Sequence, residues 1–445
     1  MLGLGRSGKA AAGLLLRHGF AVLISEEHSV SVASAPNGAE VETGGHTEKV
    51  FECGFIVKSP GIFPNHPVLK EARKRKIPIF SELETALAFA PKGVNVLAVS
   101  GTNGKTTTTS LLGEILKEYC ARLRPSSRAF AAGNIGAPVS SVADELNPGD
   151  FLAVEVSSYQ LEDSTFFRPH VACLLNITPD HLDHHGGMDG YIRAKARLFK
   201  NQRANDFAVL NGGDDLCASL AGEVKGALSA FSAKPKHALK TDVFFDGDEI
   251  IFSAGHHLRP PKLKGIHNVE NAMAAALCAL AVGVPSEIIQ TVFSRFEPME
   301  HRIEPFAHHR GVVYVNDSKA TNLDSTIIAL QSFDKIPHIW LILGGRDKGA
   351  SYEVLLPYME GRCKEVLSVG ECMDKIEREL KGFPITRCGT LERAAEYAFT
   401  HAKKGDVVLL SPACASFDQF KDYEERGRIF KQIVTQIIKR SRSTG

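Results

Sequence analysis

Val94-Asn95-Val96-Leu97-Ala98-Val99-Ser100-Gly101-Thr102-Asn103-Gly104-Lys105-Thr106-Thr107 is an apolar run, a glycine turn and the opening of a helix with Leu111, Leu112, Ile115, Leu116 and Tyr119 on one face. Strand, glycine loop and helix in that order make a phosphate-binding loop. Gly101 and Gly104 permit the turn, and the loop N–H groups can cradle phosphate oxygens. Lys105 offers a positive charge to the β and γ phosphates of a nucleotide, and the Thr106 hydroxyl can hold Mg²⁺. The general pattern wants a glycine where Val99 stands, so the loop is a shortened variant.

Asp150 to Ser158 reads as a neighbouring strand with Glu155 near its C-terminal end, the edge where open α/β sheets bind ligands. Glu155 is therefore a candidate metal ligand. The next strand, Val171 to Ile177, runs into Thr178-Pro179-Asp180-His181-Leu182-Asp183-His184-His185. These imidazoles and carboxylates could bind zinc, but they lack a helical H-E-x-x-H frame and follow a nucleotide loop, which favours Mg²⁺. His181, the first histidine past the strand, is the candidate ligand; His184 and His185 read as solvated loop residues. A helix from about Met188 carries Arg193, Lys195 and Arg197, read as a solvated basic face. Asn268 and Asn271 share one face of an Ala-rich helix ending at Ala281, which suits adenine recognition or a simple helix N-terminus.

Nearer the start, Gly3-Leu4-Gly5-Arg6-Ser7-Gly8 precedes a helical stretch (Lys9 to His18) and a strand (Phe20 to Ile24), with Glu26 just beyond. Such a turn lets a helix N-terminus approach a diphosphate. A nicotinamide site with Glu26 on a ribose and a merely tight strand-to-helix turn are both open readings. The strand before the glycines is reduced to Met1-Leu2: either the start lies upstream, or the first sheet lacks a central strand. Towards the other end, Val312–Lys319, Ile339–Lys348 and Val407–Ser416 each place polar residues at a strand end. Three such ends on one sheet edge converge on one crevice, whose lysines and hydroxyls suit a small anionic substrate.

Strand-like and helix-like segments alternate from end to end, which predicts an α/β fold of parallel sheets wound with helices. Pro and Gly interrupt the alternation at Phe89–Gly93 and at Phe296–Met299. The expected domains are 1–91, 92–297 and 298–445, matching about 150 residues per domain for 445 residues. Lys plus Arg at 52 against Asp plus Glu at 51 leaves no excess charge to attract nucleic acid. No stretch approaches the ~20 apolar residues of a membrane span. Nine scattered cysteines with no C-x-x-C pair read as reduced thiols of a cytoplasmic protein.

Gly101–Thr106, Gly133-Asn134-Ile135-Gly136, Glu155-Val156-Ser157-Ser158, Asp180-His181-Leu182-Asp183 and His267-Asn268 with Asn271 together resemble the Mur ligases of bacterial peptidoglycan synthesis. Asn316-Asp317-Ser318-Lys319-Ala320-Thr321-Asn322 and Leu410–Ser416 narrow the resemblance to the branch that adds D-glutamate. The resemblance implies an N-terminal Rossmann-like domain for a UDP end, a central ATPase and a C-terminal Rossmann-like domain for the amino acid. It implies ATP-dependent addition of D-glutamate to UDP-N-acetylmuramoyl-L-alanine through an acyl phosphate, with Mg²⁺, by a cytoplasmic monomer without nucleic-acid or membrane partners.

By the same resemblance, Lys105, Glu155, His181 and Lys195 are the catalytic set, with Thr106, Glu155, His181 and Lys195 as metal ligands and Lys195 carbamylated. ATP would meet Gly101, Thr102, Asn103, Gly104, Lys105, Thr106, Thr107, Asn268, Asn271, Arg302 and Asp317. The UDP-linked substrate would meet Gly5, Arg6, Ser7, Ser59, Asn134, Ser157 and His181. The amino acid would meet Lys319, Thr321, Lys348, Ser416 and Tyr423, the last at a position where the family often has Phe. Ser25 and Glu26 match the family's uracil contacts less well. A different amino acid or acceptor, as in sister or folylpolyglutamate-type ligases, is the alternative within this class. Outside it stand a nicotinamide oxidoreductase, which leaves the second phosphate loop without a purpose, and a P-loop switch protein, whose hydrolysis depends on a macromolecular partner.

Overall fold

The computed structural model describes residues 1–134, 136–234, 239–263, 265–297, 300–333, 338–347 and 349–443. In its first sheet, β1 (Leu23–Glu26) pairs in parallel with β2 (Glu40–Thr43), and β3 (Ile56–Lys58) with β4 (Ile79–Ser81). Leu2 joins the two pairs, bridged in parallel to Ser25 on one side and Lys58 on the other. Its N–H donates to Val57 (2.9 Å) and its carbonyl accepts from Ser59 (3.1 Å). A single residue thus fills the central slot that the sequence leaves short. The helix after the glycines begins earlier than expected, at Arg6, and runs to Arg17.

The second sheet holds β5 (Asn95–Ser100), β6 (Ala129–Gly133), β7 (Phe151–Glu155), β8 (Val171–Leu174), β9 (Phe207–Asn211), β10 (Ala227–Ser232), β11 (Val243–Phe245), β12 (Ile250–Phe252) and β13 (His257–Leu258), in the order β13-β12-β11-β10-β9-β8-β5-β7-β6. Pairing is parallel from β6 to β11 and antiparallel beyond. From β5 the chain fills one side (β6, β7) and then crosses to the other (β8). The loop after β5 therefore lies where the winding reverses, with the ends of β7 and β8 on its two flanks.

Strand residues alternate between two cores. Leu97, Val99 and Ala153 pack with the helix Lys105–Leu123 and the Ala-rich helix Ile266–Ala281. Val96, Ala98, Leu152 and Val154 face the opposite way. Burial on both faces explains why these strands read as unbroken apolar runs rather than alternating ones.

The second core also takes in Leu14, Leu83 and Ala86 from the first 91 residues. Polar staples accompany that packing. Lys58 and Asp163, both buried, pair at 2.5 Å. Glu82 accepts from the Ser140 N–H (2.8 Å) and hydroxyl (2.6 Å), Glu84 from the Thr165 (3.1 Å) and Phe166 N–H groups, and the Ser81 and Ser164 hydroxyls meet at 3.1 Å. Compactness accordingly divides the chain into two units only: Met1–Lys262 with Ile266–Phe296, and Glu297–Gly445 with Leu263–Gly265. The expected break at Phe89–Gly93 falls inside the first unit; at the other, Pro298 and Met299 lie outside the described residues.

The second unit is built on β14 (Glu304–His309), β15 (Val312–Asn316), β16 (Ile339–Gly344), β17 (Cys363–Val369), β18 (Ile385–Gly389) and β19 (Val407–Leu410), ordered β14-β15-β19-β16-β17-β18. Only β14 is antiparallel. Arg310 and Gly311, with φ of 48° and 79°, form its two-residue turn into β15.

Candidate active site

The phosphate loop is held in shape from three sides. Lys105 folds back so that its ammonium donates to the carbonyls of Gly101 (2.8 Å) and Thr102 (2.7 Å), fixing a positive charge over the helix N-terminus. From the segment after β8, Asn176 accepts the Thr102 N–H on its carbonyl (3.0 Å) and the Asn103 N–H on its side-chain oxygen (2.8 Å), and its amide donates to the Asn103 carbonyl (3.1 Å). The Thr178 N–H donates to the Thr102 hydroxyl (3.0 Å), which also lies 3.0 Å from the Tyr191 hydroxyl. Asn176 was not singled out in the sequence; its signal is an amide at the end of the apolar strand beside the loop. Thr106 and Thr107 are buried at the start of the helix.

Gly104 adopts a φ of 83°, and a Cβ there would strike the Asn271 side-chain oxygen. That oxygen accepts from the Thr108 hydroxyl (3.2 Å), while the Asn271 amide donates to Asn268 (3.1 Å). Asn271 thus braces the Ala-rich helix against the phosphate-loop helix. Gly104→Ala combines left-handed strain with overpacking and is expected to cost about 2–5 kcal/mol. Denaturant unfolding checks this, and an unchanged midpoint would refute it.

Glu155 is buried at the end of β7, and its carboxylate accepts from the Asn134 amide at 2.8 Å. The Asn134 N–H also donates to the Glu155 carbonyl (2.9 Å), so the turn after β6 orients the carboxylate. Ser157 caps the short helix Ser158–Glu162 in a reciprocal box with Gln160. Its hydroxyl is thereby engaged locally.

His181 stands in the left-handed region (φ 56°), beside Asp180 (3.4 Å) and 4.8 Å from the Tyr159 ring centre. The expectation of solvated His184 and His185 is corrected. Their side chains are 4% and 1% exposed. One helical turn folds them onto Ser158–Glu162, where His184 meets Glu162 (2.9 Å) and His185 meets the Ser158 hydroxyl (3.0 Å). Burial would raise the Glu162 carboxyl, but hydrogen bonds to the two imidazoles hold it down to about 2. Both imidazoles pack against the Tyr159 ring, with centres 4.2 and 5.5 Å away.

Lys195 also departs from the solvated face, being 1% exposed, whereas Arg193 is exposed. Tyr191, Ala194, Lys195 and Leu198 recur at the i, i+3, i+4, i+7 spacing of an inward face, a signal already present in the sequence. The Lys195 ammonium position lies 4.6 Å from the Tyr191 ring centre, with no carboxylate within ion-pair distance among the described residues. Burial first, then the neighbouring Lys105 charge, pushes its amine well below the usual lysine range. Lys105, Thr106, Glu155, His181 and Lys195 all belong to the edge formed by the ends of β5, β7 and β8 or the helices that follow them.

In the first sheet, a Cβ on Gly3 would meet the Ser59 side chain and one on Gly8 the Gly3 carbonyl. The Ser59 hydroxyl is buried and has no hydrogen-bond partner among the described residues. Gly5 begins the helix without a side-chain cap, and Arg6 and Ser7 follow in its first turn. Glu26 accepts the Leu4 N–H (2.8 Å), so its carboxylate already closes the glycine turn.

In the second unit, β15, β19 and β16 are adjacent, which gathers Asp317–Thr321, Ser411–Ser416 and Gly344–Asp347 at one edge. Lys348 lies outside the described residues. Asp317 is buried, accepts from the Ser411 hydroxyl (2.8 Å) and Ile303 N–H (3.2 Å), and burial pushes its carboxyl up to about 7. Arg302 is near enough for its charge to oppose that rise. Lys319 stands 5.2 Å from the Tyr423 ring centre. Ser416 is buried. Arg426, unmarked in the sequence, is buried and ties the Ser318 hydroxyl (2.9 Å) and carbonyl (2.8 Å) to the Cys414 carbonyl (3.1 Å).

Residues 99–279 match the Mur ligase middle domain, and residues 301–414 the Mur ligase, glutamate ligase domain. The chain is 53% identical over 435 residues to a UDP-N-acetylmuramoylalanine--D-glutamate ligase of Elusimicrobium minutum, covering 97% of this chain and 96% of that one. It is 44% identical over 461 residues to the enzyme of the same name from Koribacter versatilis, covering 99% and 98%. Among solved structures, the UDP-N-acetylmuramate-alanine ligase of Thermotoga maritima shares the fold with a TM-score of 0.63 at 20% identity, covering 100% of this chain and 99% of that one. A pseudomurein peptide ligase type C from Methanothermus fervidus does so with a TM-score of 0.63 at 18% identity, covering 97% and 98%.

Proposed function

The chain belongs to the Mur ligase family, and from that premise we propose that it joins D-glutamate to UDP-N-acetylmuramoyl-L-alanine at the expense of ATP. The observation that carries this reading is the 53% identity to a ligase of that name over 97% of the chain. The geometry supports it: a phosphate loop, an oriented carboxylate and a buried amine are gathered at one sheet edge.

A carboxylate is a poor electrophile and a protonated amine no nucleophile, so the acid must be activated. The alanyl carboxylate oxygen attacks the γ phosphorus and ADP leaves. The free amine of D-glutamate then attacks the acyl phosphate carbonyl, loses a proton and expels orthophosphate. Two anions meet in the first step, and the Lys105 ammonium supplies charge at the transferring group. The Thr106 hydroxyl and the Glu155 carboxylate are hard oxygen donors that fit Mg²⁺, with Asn134 holding the carboxylate in place. Mg²⁺ neutralises developing phosphoryl charge when bound. His181 and a carbamate on Lys195 are proposed as the ligands of a second ion; the buried amine, depressed below the usual lysine range, suits carbamylation.

The first 91 residues are proposed to hold the UDP end through Gly5, Arg6, Ser7 and Ser59, residues 92–297 the ATP, and residues 298–445 the amino acid through Lys319, Thr321, Lys348, Ser416 and Tyr423. Asn134, Ser157, Asn268, Asn271, Arg302 and Asp317 keep their proposed substrate or ATP roles. Because Asn271 braces the loop, its proposed effect on ATP runs through loop shape as well as contact. All nine cysteines are free, and among the described residues no helix is long and apolar enough to cross a membrane. We place the reaction in the cytoplasm, by a monomer acting on small molecules, in the construction of the cell wall.

Purified protein supplied with ATP, Mg²⁺ and the alanyl substrate is offered D-glutamate, L-glutamate, L-lysine or diaminopimelate in turn. Phosphate is expected with D-glutamate alone, and oxygen label placed in the alanyl carboxylate is expected in that phosphate. Turnover with another amino acid instead, or phosphate without label, overturns the reading.

A further inference from the structure

The second unit brings two cysteines together at the C-terminal edge of its sheet. Cys372 follows β17 and Cys414 follows β19; their sulfurs are 3.5 Å apart and the residues are 5% and 1% exposed. Ala413 adopts a left-handed φ of 57° immediately before Cys414. The Tyr352 hydroxyl lies 2.9 Å from the Cys414 sulfur and 3.1 Å from Asp347, which pairs with Lys375 at 2.9 Å. A thiolate at Cys372 is favoured because the Cys414 thiol donates to it, against the opposing effect of burial. The mechanism above uses none of these groups.

We infer that Cys372 and Cys414 form a modification site, a dithiol that hydrogen peroxide closes into a disulfide. Cys372 releases its proton to solvent, its thiolate attacks one peroxide oxygen, the O–O bond breaks, and the departing hydroxide takes up a proton from solvent as water. The Cys414 sulfur then attacks the Cys372 sulfenic sulfur, the S–O bond breaks, and the second hydroxide takes the Cys414 proton. Two thiols are oxidised, one peroxide is reduced and two waters are formed.

Closure draws the sulfurs together by about 1.4 Å, to the ~2.05 Å of a disulfide, and moves Cys414 relative to Tyr352. Cys414 lies two residues before Ser416, and Asp347 one before Lys348. On the function proposed above, which this consequence rests on, the disulfide weakens amino-acid binding.

The test treats the full-length protein with hydrogen peroxide, alkylates remaining thiols, digests without reductant and reads peptide masses. A Cys372–Cys414 cross-linked peptide is expected, lost on reduction with dithiothreitol. Recovery of both cysteines as alkylated thiols, or as sulfinic or sulfonic acids without the cross-link, overturns the inference. Kinetically, the KM for D-glutamate should rise about tenfold on oxidation and return on reduction, and Cys372→Ser should keep activity and lose the peroxide response. A response retained in Cys372→Ser also overturns it. The cross-link is read without any substrate, so its failure is distinct from failure of the ligase reading, which shows as no D-glutamate turnover in untreated enzyme.

Discussion

Lys105→Ala should lower ATP turnover by at least about 10³-fold, since it removes the fixed positive charge beside the transferring phosphoryl group. The wild-type ammonium is fixed at the loop by the carbonyls of Gly101 and Thr102. A second effect reinforces the first. The Lys105 charge helps keep the Lys195 amine depressed, so its removal lets Lys195 rise towards the ordinary lysine range and reduces the neutral amine available to CO₂. Phosphate release with all three substrates present is the measurement. A fully active variant would dismiss the phosphate-loop assignment.

Lys195→Ala should cost about 10²–10³-fold in turnover, the loss typical of one well-placed electrostatic group, and should recover part of it in formate or acetate. On the proposed carbamylation, the neutral amine attacks CO₂ and releases a proton, leaving an anionic carbamate that could hold a metal. Only a depressed amine makes that exchange near neutral pH. Burial first and then Lys105 supply the depression, which the charges of Cys217 and Asp180 oppose without cancelling. As pH falls through the lowered amine pKa, protonation competes with the carbamate and activity should fall with it. A small carboxylate fits the space vacated in the alanine variant and restores the charge. Lys195→Met, which keeps the volume, should fold, lose activity equally and respond less to added carboxylate. Undiminished activity in the alanine variant would remove the carbamate from the mechanism.

The order of strand, loop and helix around Lys105 was legible because each piece depends on short-range pattern: β-branched runs, glycines and an apolar helical stripe. Glu155 was legible for the same reason, as a carboxylate ending a buried strand. The burial of Lys195 was equally written in its helical spacing, but the flanking arginines give the stretch a basic appearance that hides it. His184 and His185 were not legible, because their burial depends on Glu162 and Ser158, more than 20 residues away in the chain. Asn176, Asn271 and Arg426 act as long-range braces, and an isolated amide or guanidinium carries no local sign of that. The antiparallel extension of the central sheet did have a local sign: Asp246-Gly247 between two apolar runs marks the turn joining β11 and β12.

The shared core and polar staples between the first 91 residues and the central sheet have one more consequence. The peptide link through residues 91–93 is therefore one of several ties between those parts. A single proteolytic nick there is expected to leave the two pieces together, held by the apolar face around Leu14, Leu83 and Ala86 and by the buried Lys58–Asp163 pair.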